Sequence, residues 1–515
     1  MNLPKGLFSP IAFLIFSAAD SELTHVLREV HALAEAYPEL LERVDRDLDA
    51  HGLKKKAMRR KDRAWRRARS EPLPGGVGAA VEADSSPTRL GIGRPRTPAF
   101  VVLVALFLRG YLSAGFKSWD VHTMMAESSS LQVLFHNLGV TPPKGSTLTE
   151  LVNAVTNATR QFIWDCQLAR VLRMKLDSFQ TLIGDSTHTK GNTAWPTDSQ
   201  TLVTLVMRVL HVGTLLERVQ LPVLSCPTSQ KHLGAMKKLH RDISLAGGGK
   251  KQKQVRAKAY HALIWRAKRV HPRLEAAVQN LECALPSLDM LPSRKAAAVR
   301  LVNALRRDVD ALALATHNCQ ARVVEDQKVE AKDKIVSNSD SDAAFIAKGQ
   351  RVPVIGYKPQ LVRSGNGFIT ALLLPQGNAA DSGQLLPMVA EVQRRTTVDP
   401  VTLSVDDGYA SRANVTALKA TYPSLEVTSI NGAKGKRLTR RADWNSEAYA
   451  KARNARSGVE ALISTLKGSF DFGEVARRGL DAVYGELLEK CLAYNMCHFI
   501  AEKRYQTDLA VTRAA

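Results

Sequence analysis

Apolar residues return every three or four positions over Ser21–Leu48, at Leu23, Val26, Leu27, Val30, Leu33 and Ala34, and this spacing predicts an amphipathic helix with Ser21 as its N-cap. Thr97–Arg173 carries helical periodicity throughout. Within it Ala99–Leu108 is continuously apolar, but it is much shorter than the ~20 residues a spanning helix needs, and a buried helix is expected. Thr147–Leu151 has the form of a capping box, with Thr147 as cap and Glu150 three positions on. Leu7–Ala19 follows Lys5 and imitates a secretory h-region. It contains Pro10, and the chain beyond shows no secreted character, so a packed or mobile N-terminal segment is expected instead.

The pattern changes at Phe179. Phe179–Gly184 is a short apolar strand that ends at Asp185, and Val354–Val362 and Phe368–Leu374 are further strand runs joined by the turn Ser364-Gly365-Asn366-Gly367. Helix is expected over Asp381–Arg395, strand over Val401–Val405 ending at Asp406, helix over Ala410–Tyr422, strand over Leu425–Ile430 and helix over Ser446–Phe470. That order is α/β and compatible with a mixed central sheet. Between the first strand and the hairpin, Ser229–Asp326 holds long helical patterns and reads as an inserted hairpin or bundle, with Lys250–Arg273 dense in Lys and Arg. Glu71–Arg96 is rich in Pro and Gly and reads as a linker.

A chain of 515 residues exceeds one compact core. The expected division is 1–52 as an N-terminal helical region, 53–96 as a basic segment and linker, 97–173 as a helical domain, 178–228 with 327–500 as the α/β domain, 229–326 as the basic helical insertion and 501–515 as a tail. The net charge of +23 points to a polyanionic partner, because each cation on a phosphate releases condensed counterions. Lys54–Arg69 alone holds ten Lys/Arg and one Asp, and Trp65 inside it is placed either to stack on a base or to cover the arginines. With DNA as that partner, 97–173 is the candidate DNA-binding domain. The six cysteines form no CxxC pair, so neither a zinc finger nor a redox motif is written here; they read as reduced thiols of a cytosolic chain. A glycosidase built on paired carboxylates is disfavoured by the charge and by an aromatic content of 6%.

Candidate chemistry starts with Asp185 and Asp406, each following a strand run, because strand ends in α/β sheets are where side chains converge on a crevice. Carboxylates are hard oxygen ligands and suit Mg²⁺ or Mn²⁺. Asp407 beside Asp406 leaves the register open by one residue. On the helix Ser446–Phe470, Arg456, Glu460 and Lys467 share one face, at roughly 0°, 40° and 20° around the axis. Alone, such a stripe could be salt-bridge decoration; beside two strand-end aspartates it is the recipe for a two-metal phosphoryl-transfer site.

Asp185-Ser186-Thr187, Asn192 and Pro196-Thr197-Asp198-Ser199 together resemble the first catalytic block of DDE transposases of bacterial insertion sequences, in particular the ISNCY-type group. Gly377-Asn378-Ala379-Ala380-Asp381-Ser382 is similar to the next block, Val405-Asp406-Asp407-Gly408-Tyr409 to the second catalytic block, and Arg456-Ser457-Gly458-Val459-Glu460 with Ser464 and Lys467 to the third. Arg477-Arg478-Gly479-Leu480 and Asn495 continue the match, which runs in family order from about Gly93 to Ile500. The chain departs from the pattern at Arg453, where Tyr is frequent, at Asp407, where a basic residue is common, and at Gly468-Ser469, where a basic segment follows the Lys.

The resemblance implies an RNase H-like mixed sheet with flanking helices, to which the N-terminal helices and the insertion are added. It implies an acidic triad of Asp185, Asp406 and Glu460 holding two Mg²⁺ or Mn²⁺ ions, 3′-end cleavage and strand transfer of an insertion sequence, and a dimer or larger assembly on paired double-stranded DNA ends. Arg456 and Lys467 would hold phosphates. Lys358, Trp195, Arg94 and Arg96 are further DNA candidates; His188 lies near Asp185, but without a paired Cys or His a surface role is expected; Asp198 reads as a helix cap and Asp381 as the start of the next helix. A bacterial cytoplasmic, nucleoid-associated location follows from the same resemblance. The rival readings are a catalytically inactive transposase-derived DNA-binding protein and a related RNase H-like nuclease that cuts without joining.

Overall fold

The structure is a computed structural model that describes residues 20–69, 97–111, 118–193, 197–218, 227–246, 249–329, 335–347 and 352–514. The apolar segment Leu7–Ala19, the Pro/Gly-rich stretch with Arg94 and Arg96, and Trp195 lie outside the described residues. Along the chain the elements are α1 (Asp20–Ala36), α2 (Pro38–Arg67), α3 (Ala99–Tyr111), α4 (Ser118–Glu127), α5 (Ser129–Asn137), α6 (Gly145–Ala154), α7 (Asn157–Arg173), β1 (Thr181–Ser186) and β2 (Thr189–Lys190). Then come α8 (Asp198–Arg218), α9 (Pro227–Leu245), α10 (Lys250–Ala284), α11 (Pro292–Cys319), β3 (Ala344–Ile346), β4 (Val354–Tyr357), β5 (Gln360–Ser364) and β6 (Ile369–Leu373). The chain closes with α12 (Leu385–Thr396), β7 (Thr402–Asp406), α13 (Arg412–Thr421), β8 (Val427–Asn431), α14 (Ala433–Leu438), α15 (Arg441–Trp444), α16 (Glu447–Ala455), α17 (Ser457–Ser469) and α18 (Leu480–Ala514). Two compact units divide the chain: Met1–His51, Arg94–Thr193 and Asp342–Ala515 form one, and Gly52–Gly93 with Ala194–Ser341 form the other.

The first unit is built on a five-stranded sheet of order β6-β5-β1-β7-β8. β1 pairs antiparallel with β5 and parallel with β7, and β7 pairs parallel with β8. Side chains alternate across it. Leu182, Val362, Ala371, Leu403 and Val405 enter a core with Leu385, Met388 and Val392 of α12. Leu361, Ile369 and Leu372 face the larger core, with the apolar sides of α3, α7, α17 and α18. Helices on both faces of a mixed sheet give the expected α/β, RNase H-like arrangement, and Ala99–Leu108 is the buried helix its composition predicts.

Several local expectations are corrected. The Ser21–Leu48 pattern is two helices, because Pro38 interrupts the chain after Tyr37; the first begins at Asp20. Thr147 does not cap: α6 already starts at Gly145, after Pro142-Pro143, so Thr147 sits inside the first turn. The cap in this region is Thr156, which accepts from Thr159 N at 3.2 Å to open α7. Val354–Val362 is two strands rather than one. Lys358-Pro359 breaks the run, and β4 joins a separate three-stranded sheet, β2-β4-β3. The predicted turn is present: Gly367 takes φ +102°, a backbone few other residues adopt, and Ser364 N donates to Phe368 O at 2.8 Å.

The second unit packs α8, α9, α10 and α11 around Leu202, Val206, Leu263, Leu274, Val302, Leu305 and Leu312. Trp65 is half-buried on this unit. The indole donates to Asp289 at 3.2 Å and lies under the Arg69 guanidinium, 4.2 Å from ring centroid to Cζ. Of the two roles the sequence allows, it covers an arginine. Asp198 is not a cap: Thr197 Oγ1 accepts from Gln200 N at 3.2 Å, while Asp198 pairs with Arg322 at 2.9 Å.

Candidate active site

Register brings the first two carboxylates together. β1 and β7 run parallel with Thr181 opposite Thr402, Leu182 opposite Leu403 and Ile183 opposite Ser404. The same offset carried two residues further places Asp185 level with Asp406. Leu182, Leu403 and Val405 point into the α12 core, so period-two alternation turns Asp185 and Asp406 to the opposite face, the one that α17 covers. Asp185 is buried, and its Oδ1 accepts from Ser186 N at 2.7 Å. Asp406 is half-buried at the end of β7, where its Oδ1 accepts from Gly408 N at 2.9 Å.

The neighbouring Asp407 is used differently. Its carboxylate accepts from Lys434 N at 3.1 Å and Gly435 N at 2.8 Å, tying down the first turn of α14. Gly432 makes room for it, with φ +145° and a would-be Cβ only 2.4 Å from Asp407 Cβ. The two neighbours are thus placed differently: Asp406 lies on the sheet face of Asp185, and Asp407 ties down the backbone before α14.

Glu460 arrives on α17, beside β1 and β5. The expected single helix over Ser446–Phe470 is interrupted at Arg456, which ends α16 and precedes α17. One guanidinium spans two carboxylates: Arg456 Nη1 donates to Glu460 Oε1 at 2.7 Å, and Nη2 lies 3.4 Å from Asp185 Oδ2. Glu460 remains 57% exposed and Asp185 5% exposed in their side chains, so the arginine links a buried anion to a solvated one. Lys467 Nζ, on the same stripe, lies 3.5 Å from His188 Nε2. Among the described residues no three His, Cys, Asp or Glu side chains close into a metal-ligating group. The donors nevertheless suit a hard divalent cation, with Asp185 and Asp406 side by side and Glu460 one guanidinium away.

Sequence reasoning missed the part played by Asp381. It opens the 3-10 turn Asp381–Gln384, as a helix-start residue should, without capping it. Its carboxylate instead accepts from Gln360 Nε2 at 2.9 Å and pairs with Lys358 Nζ at 2.8 Å. Asp381 Oδ2 and Asp406 Oδ1 both come within 3.1 Å of the point a Cβ on Gly408 would occupy, so a third carboxylate borders the site. Buried Tyr409 donates to Gln360 Oε1. Its phenol is pushed well above the usual range by burial first, then by the charges of Asp381, Asp185 and Asp406. Lys358, expected to reach DNA, is buried and spends its ammonium on Asp381 and on Ala379 O at 3.1 Å. The signal available in the sequence was the Asp381-Ser382 block, which names the residue without its partners.

Residues 322–496 match the family model described as the transposase DDE domain. The match points to a DDE transposase. The matched span contains Asp406 and Glu460 and begins beyond Asp185, whose place in the site rests on the β1–β7 register. No curated protein and no solved structure matches the chain. The match supports a transposase function in general terms, and transposases of this type generally use divalent metal ions.

Proposed function

We propose that this transposase cleaves the 3′ ends of an insertion sequence and transfers them to target DNA, with Asp185, Asp406 and Glu460 as the acidic triad. The observation that carries the reading is the parallel register that sets Asp185 level with Asp406, with Arg456 linking Asp185 to Glu460. Asp185, Asp406 and Glu460 would hold two Mg²⁺ or Mn²⁺ ions, which when bound would supply Lewis-acid stabilisation of developing charge. The chain's own residues hold and orient. Asp185 and Asp406 concentrate negative charge where the sheet is closed behind them. Arg456 is placed to exchange a carboxylate for a phosphate oxygen, since a guanidinium binds both by the same fork. Lys467 adds a point charge further along α17.

In the reaction proposed, water displaces a 3′ oxygen from phosphorus and leaves a 3′-OH on the element. That hydroxyl then attacks a target phosphodiester, and one P–O bond forms as another breaks, so no external energy source is required. Both ends are cut together by a dimer or larger assembly on double-stranded DNA, in the bacterial cytoplasm at the nucleoid. The test is cleavage of a labelled duplex bearing the element's own ends with Mg²⁺, Mn²⁺ or EDTA, using the native chain and Glu460→Gln. Metal-dependent nicking at the boundary that Glu460→Gln abolishes supports the triad. Binding without cleavage under every metal overturns it in favour of an inactive DNA-binding relative, and cleavage without joined products in favour of a nuclease.

A further inference from the structure

The second unit has a built cationic face that the active site does not use. Its centre is Trp265 on α10, an indole that stays 50% exposed. The Arg269 guanidinium lies 4.7 Å and that of Arg266 5.8 Å from the Trp265 ring centroid, and the ring of His232 on α9 lies 6.2 Å away. Arg266 Nη1 comes within 3.3 Å of His232 Nδ1. Arg266, Arg269 and Arg273 follow three-and-four spacing, so they occupy one stripe roughly 60° wide. Burial and then the charges of Arg266, Arg273 and Arg269 hold the His232 imidazole below its usual range.

A solvated decorative face interleaves acids with its cations at i,i+4. Here Lys250–Arg273 contains no Asp or Glu. The first acids on α10, Glu275 and Glu282, are turned to Arg306 of α11 at 2.5 and 2.6 Å and neutralise nothing on the stripe. On α9 the one acid, Asp242, lies in its last turn, more than two helical turns from His232. Guanidiniums crowded against an exposed indole, with no carboxylate paired to Arg266, Arg269 or Arg273 among the described residues, repel one another unless an external polyanion sits on them.

We infer that the α9–α10 face around Trp265, Arg266, Arg269 and Arg273 binds the phosphodiester backbone of duplex DNA without reading its sequence. Trp265 serves as the plate that keeps the guanidiniums splayed toward successive phosphates. The inference rests on DNA being the partner and is independent of the cleavage chemistry.

Fluorescence anisotropy of the full chain with a duplex of random sequence, over a salt series, tests it. Arg269→Ala with Arg273→Ala should weaken binding about tenfold or more near physiological salt and lower the slope of log affinity against log salt by about 1.8, two phosphates at ~0.9 each. Arg269→Lys with Arg273→Lys should restore most of the slope, and an unchanged melting temperature in both variants shows that folding is intact. Native-like affinity and slope in the alanine variant overturn the inference and leave the catalytic proposal standing. Absence of any duplex binding by the native chain overturns both.

Discussion

Arg456 and Asp185, 271 positions apart in sequence, meet with 3.4 Å between Nη2 and Oδ2, and the arginine holds Glu460 with its other arm. The guanidinium therefore competes with any cation for the same carboxylates. Arg456→Ala should bind Mn²⁺ about tenfold more tightly, since a charge-assisted hydrogen bond worth ~1.5–3 kcal/mol no longer opposes it. Strand cleavage should fall at the same time, because phosphate loses its fork. Calorimetric metal titration and end-cleavage assays together check this. Weaker metal binding in the variant would mean that Arg456 pre-orders the ligands and does not compete with the ion.

Asp406 and Asp407 should separate cleanly. Asp406→Asn is expected to abolish cleavage with little change in melting temperature, since the bond its carboxylate accepts from Gly408 N can be kept by an amide oxygen. Asp407→Ala removes the acceptor for Lys434 N and Gly435 N and should cost about 1–2 kcal/mol, the range for losing a helix N-terminal cap, while leaving measurable cleavage. Loss of cleavage in Asp407→Ala at a temperature where the protein is fully folded would reverse the two roles.

Much of this site was legible in the chain because its geometry is local. Asp185 and Asp406 each follow a strand run, and Glu460 and Lys467 share one face of α17 by spacing alone, whereas the break at Arg456 was not visible. The hairpin turn was legible through Ser364-Gly365-Asn366-Gly367, since Gly367 supplies the positive φ the turn requires. What stayed hidden depends on distant pairing. Lys358-Pro359 sends one apolar run into two sheets, which periodicity cannot register. Lys358 looked like a free cation because its partner, Asp381, is reached only after the β5–β6 hairpin. Thr147 satisfied a capping pattern two residues inside a helix, because a motif of polar and acidic spacing does not say where the backbone begins to turn.

Lys358 and Asp381 form a buried pair beside Asp406, with side chains 11% and 15% exposed. Lys358→Met leaves a carboxylate desolvated next to another one, and should cost about 3–5 kcal/mol. Adding Asp381→Asn should recover most of that loss, because the uncompensated charge is gone. Divalent metal should stabilise Lys358→Met more than it stabilises the native chain. Chemical unfolding of the two single variants and the double, with and without Mg²⁺, closes the cycle. No recovery in the double variant would show that Lys358 acts through packing.

Glu489 on α18 is fully enclosed and receives three guanidiniums. Arg109 donates at 2.8 and 2.6 Å, Arg160 at 2.8 Å and Arg477 at 3.0 and 3.1 Å. Burial pushes its carboxyl up, but Arg109, Arg477 and Arg160 together outweigh burial and hold it well below the usual carboxylate range. These cations come from α3, from α7 and from the segment before α18, so the anion fastens the N-terminal helices to the C-terminal one. Glu489→Gln keeps the shape and leaves three buried arginines without their anion, an expected loss of about 3–5 kcal/mol at neutral pH. The sign of the pH dependence follows from a depressed folded-state value. The stabilisation is complete above the unfolded value of about 4.3 and drains away as pH falls below it toward the folded one. The gap in melting temperature between native and Glu489→Gln chains should therefore be widest near pH 7 and shrink on acidification below about pH 4. A gap that is constant with pH would mean that Glu489 contributes through its hydrogen-bond geometry alone, with its charge carrying no net weight.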